Sequence, residues 1–161
     1  MVDPIHPNTR ARKALGTRLK IRTDPKSSLE AGYRYYWDTW EVDSHRFSLN
    51  YKRRVSHGTT FGLGLRTYLQ GSAFFFQPEY TQVEEFRTSD IKLDSSYSNE
   101  LQFSLSFHGH EDHAIPFMTN ENLEYNIRLN IYQRHTDNPY WFNGKQDLLA
   151  GYFNIGVRYK F

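Results

Sequence analysis

Apolar and polar side chains alternate along most of the chain, broken at intervals by turn residues. Leu15, Thr17, Leu19 and Ile21 alternate with Gly16, Arg18, Lys20 and Arg22, and Asp24 with Pro25 supplies a turn. Successive side chains of a strand point to opposite faces, so this spacing predicts a strand with one greasy and one cationic face. The same reading gives a second strand over Ala31, Tyr33, Tyr35 and Trp37 and a third over Phe47, Leu49 and Tyr51. His57 and Gly58 then turn into a fourth over Phe61, Leu63, Leu65, Thr67 and Leu69. After an aromatic excursion from Gly71 to Thr88, a fifth strand is expected between Leu93 and Phe107, a sixth through Leu123, Tyr125, Ile127, Leu129 and Ile131, and a seventh from Leu149 to Phe161. An eighth strand concealed around Phe74 to Glu84 is the alternative count.

The expected architecture is all-β: an antiparallel up-and-down transmembrane β-barrel, or the C-terminal part of a larger one, with about seven to eight strands in this chain. Each predicted strand is about as long as the roughly 9 to 11 tilted residues that cross a bilayer. Residues 1–12, with Pro4 and Pro7, form an irregular stretch, and residues 13–161 form the meander as a single segment. The first residues hold no apolar run of the secretory kind, so an exported chain would have had its signal removed or would continue upstream.

Connection lengths set an orientation. With the last strand ending in the periplasm, the short turns near Asp24 and His57 are periplasmic, and the long connections Gly71 to Thr88 and His135 to Asp147 are outside the cell. Short inner turns and long outer loops are the habit of outer-membrane barrels. The long connection His108 to Asn122 departs from it. Trp37, Trp40, Tyr68, Phe74, Tyr140 and Trp141 are expected near the outer interface, and Tyr51, Phe107, Tyr159 and Phe161 near the inner one.

Composition is compatible with this picture. Mean hydropathy of −0.76 leaves no run of about 18 apolar residues for a spanning helix, whereas a barrel needs only alternate residues to face lipid. Aromatics make up 17% of the chain, which suits strands and interfacial girdles. Cysteine is absent, excluding disulfides, thiolate metal sites and cysteine nucleophiles. A net charge of +2 without a basic reader motif sets nucleic acid aside as a partner.

Two resemblances sharpen the expectation. The greasy phase Phe153, Ile155, Val157, Tyr159 and Phe161 resembles the C-terminal strand of bacterial outer-membrane β-barrels, whose terminal aromatic is read by the barrel-assembly machinery. Gly32-Tyr33-Arg34-Tyr35-Tyr36-Trp37-Asp38-Thr39-Trp40 leading to Asp43-Ser44-His45, and Arg66-Thr67-Tyr68-Leu69-Gln70-Gly71-Ser72-Ala73-Phe74-Phe75-Phe76-Gln77-Pro78-Glu79-Tyr80, resemble an uncharacterised bacterial family of predicted outer-membrane β-barrel proteins. The resemblance runs from about Pro7 to Phe161 and implies the outer membrane of a Gram-negative bacterium. It also implies an N-terminal part of the barrel beyond this chain. It brings no catalytic residues.

Arg18, Arg34, Arg46, Arg66, Arg128 and Arg158 share the polar phase of their strands. A mid-membrane Arg on the lipid side costs about 2 to 4 kcal/mol, so segregation inward is expected. A lumen walled by cations favours anions. The competing reading pairs these arginines with Glu30, Asp38, Asp94, Glu100 and Glu124 across a filled interior that conducts nothing.

His108, His110 and His113, with Glu111 and Asp112 between them, carry transition-metal donors, but the spacing matches no recognised signature, so no cofactor is expected and a solvated loop is the plainer reading. Asp43, Ser44 and His45 are adjacent on a strand and cannot converge as a triad, and no Gly-x-Ser-x-Gly elbow exists, so no enzyme is expected. The aromatic run Phe74 to Phe76 is read as an interfacial loop anchor. The functional expectation is a porin-like or solute-transport barrel whose partners are outer-membrane lipid, the assembly machinery and small anionic solutes. Its alternative is a non-conducting scaffold that holds periplasmic or surface partners, in a metal-handling or electron-transfer assembly.

Overall fold

The structure, a computed structural model, describes residues 3–109, 119–138 and 144–160. Seven strands follow one another as β1 (Arg12–Asp24), β2 (Ser27–Asp38), β3 (Asp43–Ser56), β4 (Thr59–Gln70), β5 (Ser96–His108), β6 (Leu123–His135) and β7 (Asp147–Tyr159). Each pairs antiparallel with its sequence neighbours in one sheet ordered β1 to β7, so the up-and-down all-β expectation holds. The sheet is open among the described residues, with β1 and β7 as its edges. The stretch Phe74 to Glu84 contributes turns and one isolated bridge from Phe76 to Thr88, which removes the eighth strand. Leu93, expected to open the fifth strand, instead ends a single 3-10 turn over residues 91–93, capped by the Asp90 carboxylate, which accepts from Lys92 N, and β5 starts at Ser96. Among the described residues no helix is long and apolar enough to cross a membrane.

The local reasons are simple. Pro25 and Lys26 close the first hairpin, with Lys26 N donating to Asp24 Oδ1 at 2.7 Å. His57 and Gly58 close the third, where Gly58 takes φ +80, a region that favours a residue without Cβ.

Register turns the alternation of each strand into rungs. Leu19, Ala31, Leu49, Leu65, Leu101, Ile131 and Gly151 stand opposite one another from β1 to β7, and Ile21, Leu29, Tyr51, Leu63, Phe103, Leu129 and Phe153 form the next rung. Aromatic groups flank these rungs on the same face. On one side Tyr35 stacks on Trp37 and His45 at 5.1 and 4.9 Å, and on the other Phe107 stacks on Tyr125 at 5.2 Å.

Burial is inverted relative to a soluble sandwich. On the apolar face Leu19 is 61% exposed and Ile155 67%, while on the polar face Ser98 is 8% exposed and Asn130 1%. The polar face is the concave one, where neighbouring side chains crowd one another out of solvent, and side chains of β1 to β5 line a hollow across it. It closes tightly at its centre, where a methyl on Gly64 would stand 2.9 Å from Asn50 Oδ1.

The core proper is small and lies at one end. Val42, Ala73, Phe75 and Leu93 are buried together, with Tyr36, Trp40, Phe76 and Phe86 packed around them. This cap joins the β2–β3 turn to the β4–β5 connection. Phe75 is 2% exposed, so the central ring of the expected interfacial anchor is interior, while Phe74 stays half exposed. The N-terminal arm belongs to the cap as well, through a bridge between Ile5 and Arg87 and through Trp40 Nε1, which donates to Thr9 O at 3.1 Å. Trp40 is thus a cap residue, and Tyr68 lies on the concave face with its hydroxyl donating to Gln70 Oε1 at 2.9 Å. Tyr140 and Trp141 lie outside the described residues.

Candidate functional site

Period-two alternation brings the six arginines singled out in the sequence to one concave surface, in two electrostatic groups. Arg18 Nε lies 3.5 Å from Glu30, Arg66 Nη1 2.7 Å from Glu100, and Arg158 Nη1 3.7 Å from Glu124. Glu100 also accepts from the Tyr152 hydroxyl at 2.5 Å, so a carboxylate of β5 ties β4 to β7 across the hollow. These cations are neutralised in place. Arg34, Arg46 and Arg128 have no carboxylate partner among the described residues. Arg34 and Arg46 face each other directly across β2 and β3. Like charges in that position repel.

The two kinds of arginine sort by cavity. A hollow of ≈260 Å³ at mid-sheet is lined by Arg18, Arg46 and Arg66 together with Glu30 and Glu100. Toward the cap a second hollow of ≈350 Å³ is lined by Arg10, Arg34, Arg46 and Lys92 with no acidic residue. Arg46 borders both. Sequence reasoning did not single out Arg10 or Lys92, because both sit outside alternating segments and reach the concave face only through the cap.

The greasy terminal strand is on the other face. Phe153, Ile155, Val157 and Tyr159 are 59, 67, 60 and 47% exposed on the convex side of β7. Phe161 lies outside the described residues. Leu101, Phe103, Leu105, Ile127 and Leu129 share that face, opposite the buried polar residues.

Among the described residues no three metal-ligating side chains come together. His108 sits at the far end of the concave face, its Nε2 3.8 Å from Glu124, the same carboxylate that Arg158 approaches. His110 and His113 lie outside the described residues. Asp43 and His45 share a face, with 3.6 Å between Oδ2 and Nε2, while Ser44 is buried on the opposite one, so these three do not converge.

The fold and this surface define a class: an antiparallel β-meander with an apolar convex face, a cation-rich concave face and a loop-built cap. The chain belongs to the family described as protein of unknown function (DUF3570), whose model matches residues 4–154. No curated protein and no solved structure matches it.

Proposed function

We propose that this sheet is part of the wall of an outer-membrane β-barrel in a Gram-negative bacterium, with its convex face on lipid and its concave face on a lumen that favours anionic solutes. The observation that carries the reading is the inverted burial: rungs of Leu, Ile and Phe are exposed while Ser98 and Asn130 are buried. In water such a face would be covered. Each of its large side chains gains about 1.5 to 3 kcal/mol on leaving water.

The dimensions agree. From Leu149 to Tyr159 the apolar phase of β7 covers about 34 Å of strand at about 3.4 Å per residue, and at a tilt of about 40° this spans about 25 Å, the height of the apolar band in such barrels. Aromatic groups at both margins of the band fit an interfacial girdle. Strands β1 and β7 would pair with further strands of the barrel, because an unpaired strand edge in lipid costs several kcal/mol per polar group. The partners of this reading are lipid, the barrel-assembly machinery and small anions.

A second reading is favoured by the Arg66, Glu100 and Tyr152 network, which fills part of the hollow: a barrel that conducts nothing and holds a partner. Site-directed labelling tests the first reading. The chain has no cysteine, so single cysteines at Leu101, Leu129 and Ile155 report cleanly. Spin labels there should be accessible to oxygen and shielded from water-soluble relaxants in vesicles, with the reverse at Gln102 and Asn154. Equal access to the water-soluble relaxant at all five would overturn it.

A further inference from the structure

We propose that the cap-side hollow is a binding site for a small oxyanion of two or three negative charges, held by Arg34, Arg46 and Lys92. The proposal deepens the barrel reading, on which it rests for taking the concave face as the solute-bearing one.

Three observations lead there. First, Arg34 and Arg46 are directly opposed on neighbouring strands, an arrangement that disfavours the empty protein unless an anion lies between them. Second, the nearby carboxylates are committed elsewhere. Asp38 is held by Arg10 at 2.6 Å, and Asp94, which keeps its charge, is turned toward Thr136 Oγ1 and Ser95 N, each at 2.7 Å, and does not line the hollow. Arg10 is therefore neutralised, leaving Arg34, Arg46 and Lys92 as the cations without an ion pair among the residues that line ≈350 Å³ of space. Third, the enclosure is built. The cap is fixed over the strands by Gln70, whose Nε2 donates to Lys92 O at 2.9 Å and to Asp94 O at 2.8 Å. That anchorage holds Lys92 in the lining of the same hollow as the two arginines.

The chemistry follows from these groups. Guanidinium forks match phosphate or carboxylate oxygens with two parallel hydrogen bonds, and an ammonium adds a point charge on a flexible stem. A monovalent halide would leave most of those donors unused. The single O–H of Tyr68 already donates to Gln70 and is not available to the anion. Selectivity should thus come from charge and oxygen count.

Calorimetric titration of the full chain, folded in detergent, tests this with inorganic phosphate and with citrate at constant ionic strength set by chloride. Saturable binding of at least one of them is expected, weakened about tenfold or more by Lys92→Gln and by Arg34→Gln and left unchanged by Arg158→Gln at the far end of the sheet. Phosphate binding alone would identify a phosphate-type ligand, and citrate binding alone a polycarboxylate. Absence of saturable heat, or equal weakening by Arg158→Gln, would overturn the site. Circular dichroism checks folding, and a second readout guards against a misfolded variant. Removing the like-charge contact should raise the melting temperature of ligand-free Arg34→Gln, and a fall would mark Arg34 as a structural residue and overturn the proposal. Flotation with lipid vesicles reports on the barrel separately. Binding without flotation upholds the site and sinks the barrel, and flotation without binding does the reverse.

Discussion

Arg10 reaches across the cap to Asp38, placing Nε and Nη2 at 2.8 and 2.6 Å from one carboxylate oxygen of a side chain that has no exposed surface. The same oxygen accepts from the Tyr36 hydroxyl at 2.6 Å, and the other accepts from Trp40 N and Val42 N at 2.9 and 3.1 Å. The Arg10 guanidinium lies 4.2 Å from the Trp40 ring centre, so arm and turn are joined by both charge and stacking. Asp38→Ala should cost about 3 kcal/mol, because it removes a buried acceptor and strands the part-buried Arg10 guanidinium, the Tyr36 hydroxyl and two backbone donors. Denaturant unfolding measures the loss, and limited proteolysis should cut residues 71–95 sooner. Unchanged proteolysis would remove Asp38 as the organiser of the cap.

Neighbours on β5 should respond very unequally to one substitution. Leu101→Arg should destabilise folding into phosphatidylcholine vesicles by about 2 to 4 kcal/mol, and Gln102→Arg by well under half of that, since one faces the convex side and the other the concave hollow. Equal costs would count against a lipid-facing convex surface.

Ion selectivity should depend on which arginines are changed. Replacing Arg34, Arg46 and Arg128 with Glu should move the reversal potential of the full-length barrel toward cations. The same change at Arg18, Arg66 and Arg158 should move it less, because Glu30, Glu100 and Glu124 already offset those charges. Higher salt should blunt the difference by screening. Planar-bilayer recording decides: selectivity indifferent to the first set removes the cationic wall as filter, and a barrel that never conducts favours the scaffold.

Glu41 holds φ 63 in the turn between β2 and β3, a left-handed conformation costly for a side chain with Cβ. Glu41→Gly should stabilise the protein by up to about 1 kcal/mol. An unfolding midpoint that falls would mean that the Glu41 side chain contributes more than its backbone strain costs.

The sheet was legible because a half-buried strand writes its face directly into every second residue, and each hairpin joins neighbours in sequence. The 3-10 turn at Ile91 to Leu93 was not, since Leu93 stands in phase with the apolar residues of β5 and a single turn is too short to show a period of its own. The cap was illegible for a further reason. Val42, Ala73, Phe75 and Leu93 meet from separate connections, and no local period announces a contact between a turn and a loop. The cationic face could be read from phase alone, but its division into neutralised and unneutralised arginines could not. Phase says which way Arg66 points, whereas its 2.7 Å contact with Glu100 depends on the register of two strands.

The bridge between Ile5 and Arg87, reinforced by Arg87 Nε donating to Asp3 O at 3.1 Å across 84 positions, gives this molecule a built-in order of assembly. The hairpins at Pro25 and Gly58 close over two-residue turns and need only neighbouring strands. Thr9 and Arg10 need only the β2–β3 turn, but Asp3 and Ile5 pair with the segment after β4, a contact that spans four strands. The contact at Ile5 is therefore among the last native contacts of this segment to close, because the loop it closes is far longer than that of any hairpin in the sheet.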